Sequence, residues 1–233
     1  LLGTILVGDK CVIENLPEIS DIKSSLDILS SLGATVKMLD RTTVEINTAS
    51  VRPGTMPYEL ARSMRASYYV VGAELGRFGT SRAACPGGCD FGVRPIDQHI
   101  KGFEALGASV DISQGKITAT AKKLVGTSIY LDMVSVGATI NVMLAAVRAK
   151  GKTVIENAAK EPEIIDVANL LTKMGAKIRG VGTDTITIEG VEHLHGTFHE
   201  IIPDRIECAT YIILAATCGK DVLIDSPKQM VKK

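Results

Sequence analysis

The sequence predicts an α/β domain of mixed sheets in which one unit is used three times, giving threefold pseudo-symmetry. A glycine hinge recurs in SSLGATV (30–36), EALGASV (104–110) and TKMGAKI (172–178). Each hinge closes an apolar run spaced by threes and fours: Ile22, Leu26 and Leu29; Ile96, Ile100 and Phe103; Ile164, Val167, Leu171 and Met174. That spacing lays the residues along one stripe of a helix. Two strand-like segments around a polar turn follow each hinge, in TVKMLDRTTVEI, SVDISQGKITATA and KIRGVGTDTITIEG.

Taken in chain order, the first helix is entered through ENLPEISD (14–21) and the third through ENAAKEPEIID (156–166). Proline is tolerated at a helix start, and an acid there favours the positive end of the helix dipole. The middle copy uses RPID (94–97) instead. Gly33, Gly107 and Gly175 stand where a helix C-terminus calls for a left-handed residue. Another helix and strand precede each entrance, most clearly in SVGATINVMLAAVRAKGKTVIENA (135–158). The unit is helix, strand, helix, strand, strand, over about 65–75 residues. Few charges interrupt the helix stripes, which suits helices inside and sheets outside. A fourth copy starts at PDRIECATYIILAATCGKDVLIDS (203–226). Residues 1–203 therefore read as one threefold domain and 204–233 as the start of a second. Without a leading Met, and beginning in mid-pattern, the chain reads as truncated.

Composition narrows the function. Lys+Arg and Asp+Glu balance at 26 each, aromatics are 4% and Trp is absent. There is no basic field or stacking platform for nucleic acid, so anionic ligands must be met by local arginines. No apolar run reaches the ~18 residues of a membrane span. The opening LLGTILVG lacks the features of a signal peptide. Five cysteines, at 11, 85, 89, 208 and 218, form no disulfide framework and point to a reducing, cytoplasmic compartment. Cys11, Cys208 and Cys218 sit in apolar patterns and are expected in the core.

The second copy departs from the other two. Its strand-to-helix connection is CPGGCDFGVRP (85–95), which brings Cys85, Cys89, Asp90 and Arg94 onto a glycine loop. Arg62 and Arg65, at helical spacing, are expected to share a face. Half of a zinc site would need a second pair of ligands, and His193, His195 and His199 read better as a strand edge or loop. A redox pair would favour C-x-x-C. The remaining reading is a thiol activated by nearby cations, facing a bound anion as nucleophile or proton donor. Cys89 suits it better than Cys85, being nearer Arg94 and past the glycines. A merely buried structural cysteine is the bland alternative.

PGGCDFGVRPIDQHIKGFEALGA closely resembles the cysteine loop of the UDP-N-acetylglucosamine 1-carboxyvinyltransferases, a family of enolpyruvyl transferases. RSMRAS, SVGATIN, ENAAKEPEIIDVANLL, GTDTITIEGV and PDRIE match in order, so the resemblance spans essentially the whole chain. It implies an inside-out α/β barrel, with helices inside and mixed sheets outside, and two such domains flanking a cleft. It also implies transfer of the enolpyruvyl group of phosphoenolpyruvate to the 3′-hydroxyl of UDP-N-acetylglucosamine, with release of phosphate, in bacterial peptidoglycan synthesis. Neither cofactor nor metal is implied. By motif, Cys89 is the proton donor and the thiol alkylated by fosfomycin, and Arg65 and Arg94 grip anionic groups. Arg94, Pro95, Ile96, Asp97 and Gln98 line the uridine pocket, and Ser135, Val136 and Gly137 meet the diphosphate at a helix N-terminus. Met133 stands where many family members carry lysine, and two of the family's catalytic elements fall outside this chain. The shikimate-pathway enolpyruvyl transferase shares the repeat fold but is not known for this cysteine, and is the poorer match. Alternatives are a non-catalytic nucleotide-sugar-binding domain of the same fold and the RNA 3′-phosphate cyclase group. The neutral charge argues against the last.

Overall fold

A 3₁₀ turn over Leu2–Leu6 buries its apolar side chains and leads into strand β1 (Lys10–Glu14), helix α1 (Ser20–Ser31) and strands β2 (Thr35–Met38) and β3 (Val44–Asn47). The second unit runs α2 (Tyr58–Ser63), a 3₁₀ turn (Arg65–Tyr68), α3 (Tyr69–Phe78), β4 (Thr80–Ala84), α4 (Asp97–Ala105), β5 (Ser109–Ser113) and β6 (Lys116–Thr120). The third runs β7 (Ser128–Tyr130), α5 (Val136–Ala146), β8 (Lys152–Glu156), α6 (Pro162–Lys173), β9 (Lys177–Arg179) and β10 (Thr185–Glu189). Strand β11 (Phe198–Glu200) and helix α7 (Arg205–Cys218) follow. This computed structural model describes residues 1–54, 56–84 and 96–224.

The three units share one strand order. β1-β3-β2, β4-β6-β5 and β8-β10-β9 each place the last strand in the middle, antiparallel to both neighbours, with a helix between the outer two. β7 adds in parallel to β8, with Ser128 opposite Val154, and β11 adds in parallel to β1, with Phe198 opposite Val12. Matched asparagines pin these two additions. Asn15 and Asn157 both adopt positive φ, 62° and 57°. Their side chains donate to the carbonyls of Ile201 and Leu131, just past β11 and β7. Asparagine is one of the few non-glycine residues that visit the left-handed region, and here its amide reaches across to the added strand.

The hinge glycines have φ of 96°, 93° and 103° at Gly33, Gly107 and Gly175, conformations that a side chain would strain. Leu29, Phe103 and Leu171, from the helices those hinges end, join one core cluster. At its centre α5 packs on α3, and every residue of α5 from Ala138 to Ala146 is buried. A helix that is hydrophobic nearly all round packs against protein on every side. Strands β6, β8 and β10 alternate buried and exposed residues, so each sheet turns one face to the helices. The helices are inside and the sheets outside, as expected, but the sheets share no strand and close no barrel.

Two expectations need correction. Arg62 and Arg65 share no helical face: α2 stops at Met64, which is extended (φ −152°, ψ 149°) and 3% exposed. Drawing Met64 into the core breaks the helix between the two arginines. Of the three cysteines expected in the core, only Cys11 is buried; Cys208 is half-exposed and Cys218 exposed. Both lie on α7, which has an Asp204 cap and a Glu163–Arg205 ion pair but buries no residue among those described.

Candidate functional site

The N-termini of α4 and α5 frame the candidate site. Ser135 caps α5, its Oγ accepting from the Ala138 N–H at 3.2 Å while its carbonyl accepts from the Thr139 N–H. The Val136 and Gly137 N–H groups belong to the first turn, where the helix supplies no acceptor. With the helix dipole behind them, they suit an anion. Ser135, Val136 and Gly137 are half-buried, so they are anchored yet reachable. Thr139 fixes the helix from behind, donating to the Ser135 carbonyl at 2.8 Å and accepting from the Ala159 N–H at 3.1 Å.

Gln98 ties α4 to the segment before α5. Its Nε2 donates to Asp97 and Asp132, each at 3.1 Å, and its Oε1 accepts from the Asp132 N–H at 2.8 Å. Lys101 closes the far side of Asp132 at 2.6 Å. The hydrogen bonds from Lys101 and Gln98 hold the Asp132 carboxyl below its ordinary range. The Gln98 side chain is thus buried and taken up within the protein, setting the distance between the α4 start and Ser135. Ile96 precedes α4 and is half-buried, and Asp97 is exposed in its first turn.

Arg65 is exposed at the start of its 3₁₀ turn. Its charge reaches the buried His99 ring and the Tyr69 phenol. Burial, aided by Arg65 and opposed by Asp97, pushes His99 down to about 4. Burial raises the Tyr69 phenol, with Arg65 acting against it. A Cβ built on Gly137 would lie 3.1 Å from His99 Cε1 and 3.9 Å from the Tyr69 hydroxyl. The structure therefore gathers Arg65, Asp97, Gln98 and Gly137 around two residues that the sequence analysis did not single out, His99 and Tyr69. Cys85, Cys89, Asp90, Arg94 and Pro95 lie outside the described residues. The exposed Met133 follows Asp132 directly. Among the described residues no three His, Cys, Asp or Glu side chains gather as metal ligands, and His199 is paired with Asp166 at 3.1 Å.

The signal for the missed residues was a polar residue in an apolar run. ATINVMLAA places Asn141 in the middle of the most buried helix, and a buried polar group needs partners. Those partners are His99, Gly72 and Tyr68.

The family model for EPSP synthase (3-phosphoshikimate 1-carboxyvinyltransferase) matches residues 1–229. The chain belongs to this family. Among curated relatives it is 60% identical over 224 residues to UDP-N-acetylglucosamine 1-carboxyvinyltransferase 2 of Listeria monocytogenes serotype 4b (strain F2365). It is 56% identical to the protein of that name in Bacillus subtilis (strain 168). These matches cover 96% of this chain but 53% and 52% of the relatives, so the chain spans about half their length. The fold is similar to that of the enolpyruvyl transferase NikO from Streptomyces tendae, with a TM-score of 0.79 and 23% identity over 91% of this chain and 50% of that one. EPSP synthase from Acinetobacter baumannii gives 0.69 and 19% over 92% and 50%. The fold class expected from the sequence is that of this family, and the resemblance stated above is to proteins named as these curated relatives are.

Proposed function

We propose that the chain carries the cysteine-loop domain of an enzyme that transfers the enolpyruvyl group of phosphoenolpyruvate to the 3′-hydroxyl of UDP-N-acetylglucosamine, releasing phosphate, in bacterial peptidoglycan synthesis. The observation that carries this reading is the 60% identity, over 96% of the chain, to a protein named for that activity. The geometry is in keeping with it: first-turn N–H groups of α5 and a nearby arginine suit a nucleotide diphosphate.

In this reading Ser135, Val136 and Gly137 receive the diphosphate, and Pro95, Ile96, Asp97 and Gln98 border the uridine. Arg65 and Arg94 hold anionic groups of the two substrates. Cys89 supplies the proton that the methylene carbon gains as the 3′-hydroxyl adds to phosphoenolpyruvate; that carbon gives up a proton again as phosphate leaves, which restores the double bond of the enolpyruvyl group. Cations lower a thiol's pKa, which suits a proton donor working beside arginines. A reducing cytoplasm keeps such a thiol free. Residues 1–203 form the first domain and 204–233 open a second that completes the cleft. The exposed apolar residues around α7, including Ile212 and Ile213, are in keeping with that division.

The test is phosphate release from phosphoenolpyruvate in the presence of UDP-N-acetylglucosamine. Full-length protein turns over, its Cys89→Ser form loses most of the rate, and this chain by itself is inactive, because groups acting as a unit fail together. Inactive full-length protein with an intact Cys89 would favour a non-catalytic nucleotide-sugar-binding module.

A further inference from the structure

The polar cluster behind the α5 N-terminus carries an inference that rests on the nucleotide-sugar reading and goes beyond it. Asn141 Oδ1 accepts from the Gly72 N–H at 2.9 Å, and its Nδ2 donates to the Tyr68 carbonyl at 3.1 Å. A backbone N–H can only donate and a carbonyl can only accept, so this amide has one possible orientation. Its second Nδ2 hydrogen faces His99 Nδ1 at 3.1 Å, and Nδ1 must therefore accept. Burial and the Arg65 charge keep the ring neutral down to about pH 4, so its proton resides on Nε2.

The ring cannot easily turn. It is 6% exposed and stands edge-on to Tyr68, with centroids 4.7 Å apart and planes at 85°. Its Cε1–Nε2 edge lies against Gly137, where a Cβ would come within 3.1 Å of Cε1 and 3.2 Å of Nε2. The Asn141 contact is the ring's only hydrogen bond among the described residues. Among the described residues Nε2 has no protein acceptor, yet it is not one of the fully enclosed unpartnered atoms, so this donor faces an opening through which an acceptor can reach it. It lies against Gly137, in the first turn of α5, whose N–H groups find no acceptor within the helix.

We propose that His99, with its tautomer fixed by Asn141, is a ligand-binding residue whose Nε2–H donates to a phosphoryl oxygen of a nucleotide diphosphate held on the first turn of α5. Asn141 acts through His99 and is a positioning residue. A neutral donor adds direction without charge, while Arg65 supplies the charge. Glycine at 137 is what lets the ring edge reach the helix start.

The experiment is two-bond ¹⁵N–¹H NMR of the histidines in this chain, with uridine diphosphate and uridine as probes, and binding of UDP-N-acetylglucosamine to wild type, His99→Gln and His99→Phe. The expected result is an Nε2–H tautomer whose Nε2 signal moves with uridine diphosphate and not with uridine. His99→Phe weakens UDP-N-acetylglucosamine binding by about 10- to 100-fold, and His99→Gln, which keeps an N–H near Nε2, restores most of it. A proton on Nδ1, or wild type that binds the nucleotide sugar with Nε2 unmoved, overturns the proposal. Wild type that binds no nucleotide sugar overturns the functional reading as well. Should His99→Phe fail to fold, the wild-type spectra decide alone.

Discussion

Replacing Glu74 by glutamine isolates a titration at the heart of the fold. Glu74 lies in α3 with 0% exposure, and its Oε2 accepts from the Ser81 hydroxyl at 2.6 Å. Burial pushes its carboxyl up from 4.5 to about 7, against the opposing pull of Ser81 and the Gly54 and Arg82 backbone. As pH rises through 4.5 the unfolded chain gives up this proton while the folded protein keeps it until about 7. The contribution to stability is thus fully present below 4.5, is lost as pH rises to 7 and is constant above. The loss amounts to about 3 kcal/mol, at 1.36 kcal/mol per pH unit. His99 works the other way. Held near 4 when folded, it costs stability as pH falls from 6.5 to 4, so the two slopes largely cancel in the wild-type protein. In Glu74→Gln the carboxyl slope is gone, while any fixed cost of the new amide is independent of pH. Urea unfolding of both forms from pH 4 to pH 8 gives the difference directly, and His99 drops out of it. Stability of the glutamine form relative to wild type should rise by about 3 kcal/mol from the acid to the alkaline end. A difference that stays flat would refute the claim that burial holds Glu74 protonated.

The His99 ring should show no titration between pH 5 and 8 by NMR, protonating only near 4; an inflection near 6.5 would mean that it is not held as described. Phe103 is fully buried in α4, so Phe103→Ala should cost about 3–5 kcal/mol of unfolding free energy, and a loss under about 1 kcal/mol would contradict its place in the shared core. Fosfomycin with nucleotide sugar present should label Cys89 ahead of Cys85 by mass mapping. Iodoacetamide should also reach Cys218, which is exposed on α7.

The repeat was legible because burial imposes a period that a sequence cannot hide. Leu29, Phe103 and Leu171 recur at helical spacing before hinge glycines, and both spacing and φ follow from local physics. Strands β7 and β11 were not foreseen. Each is three residues long, too short for alternation to register, and each exists by pairing with a distant strand. The arginine pair failed for the same kind of reason: helical spacing links Arg62 to Arg65, but the core's claim on Met64 breaks the helix between them. In the candidate site, Ser135–Gly137 came from the resemblance, as a helix N-terminus, and the Ser135 cap became visible only in the structure. The Asn141–His99 pair was not legible, because the two residues are 42 positions apart and meet only when α4 and α5 pack. Cys208 and Cys218 show the limit of hydropathy: apolar neighbours mark a face that can be covered, without saying that this part of the chain covers it.

The claim at the centre of this account is that the starts of α4 and α5 form one nucleotide-sugar site, and backbone ¹H–¹⁵N NMR of the chain titrated with UDP-N-acetylglucosamine tests it most directly. The amides of Asp97, Gln98, Val136 and Gly137 should shift together, saturating with a single Kd of about 1 mM, which corresponds to roughly −4 kcal/mol for half of a cleft. No shift at about 10 mM, or shifts confined to α7 or to the outer sheet faces, would contradict it.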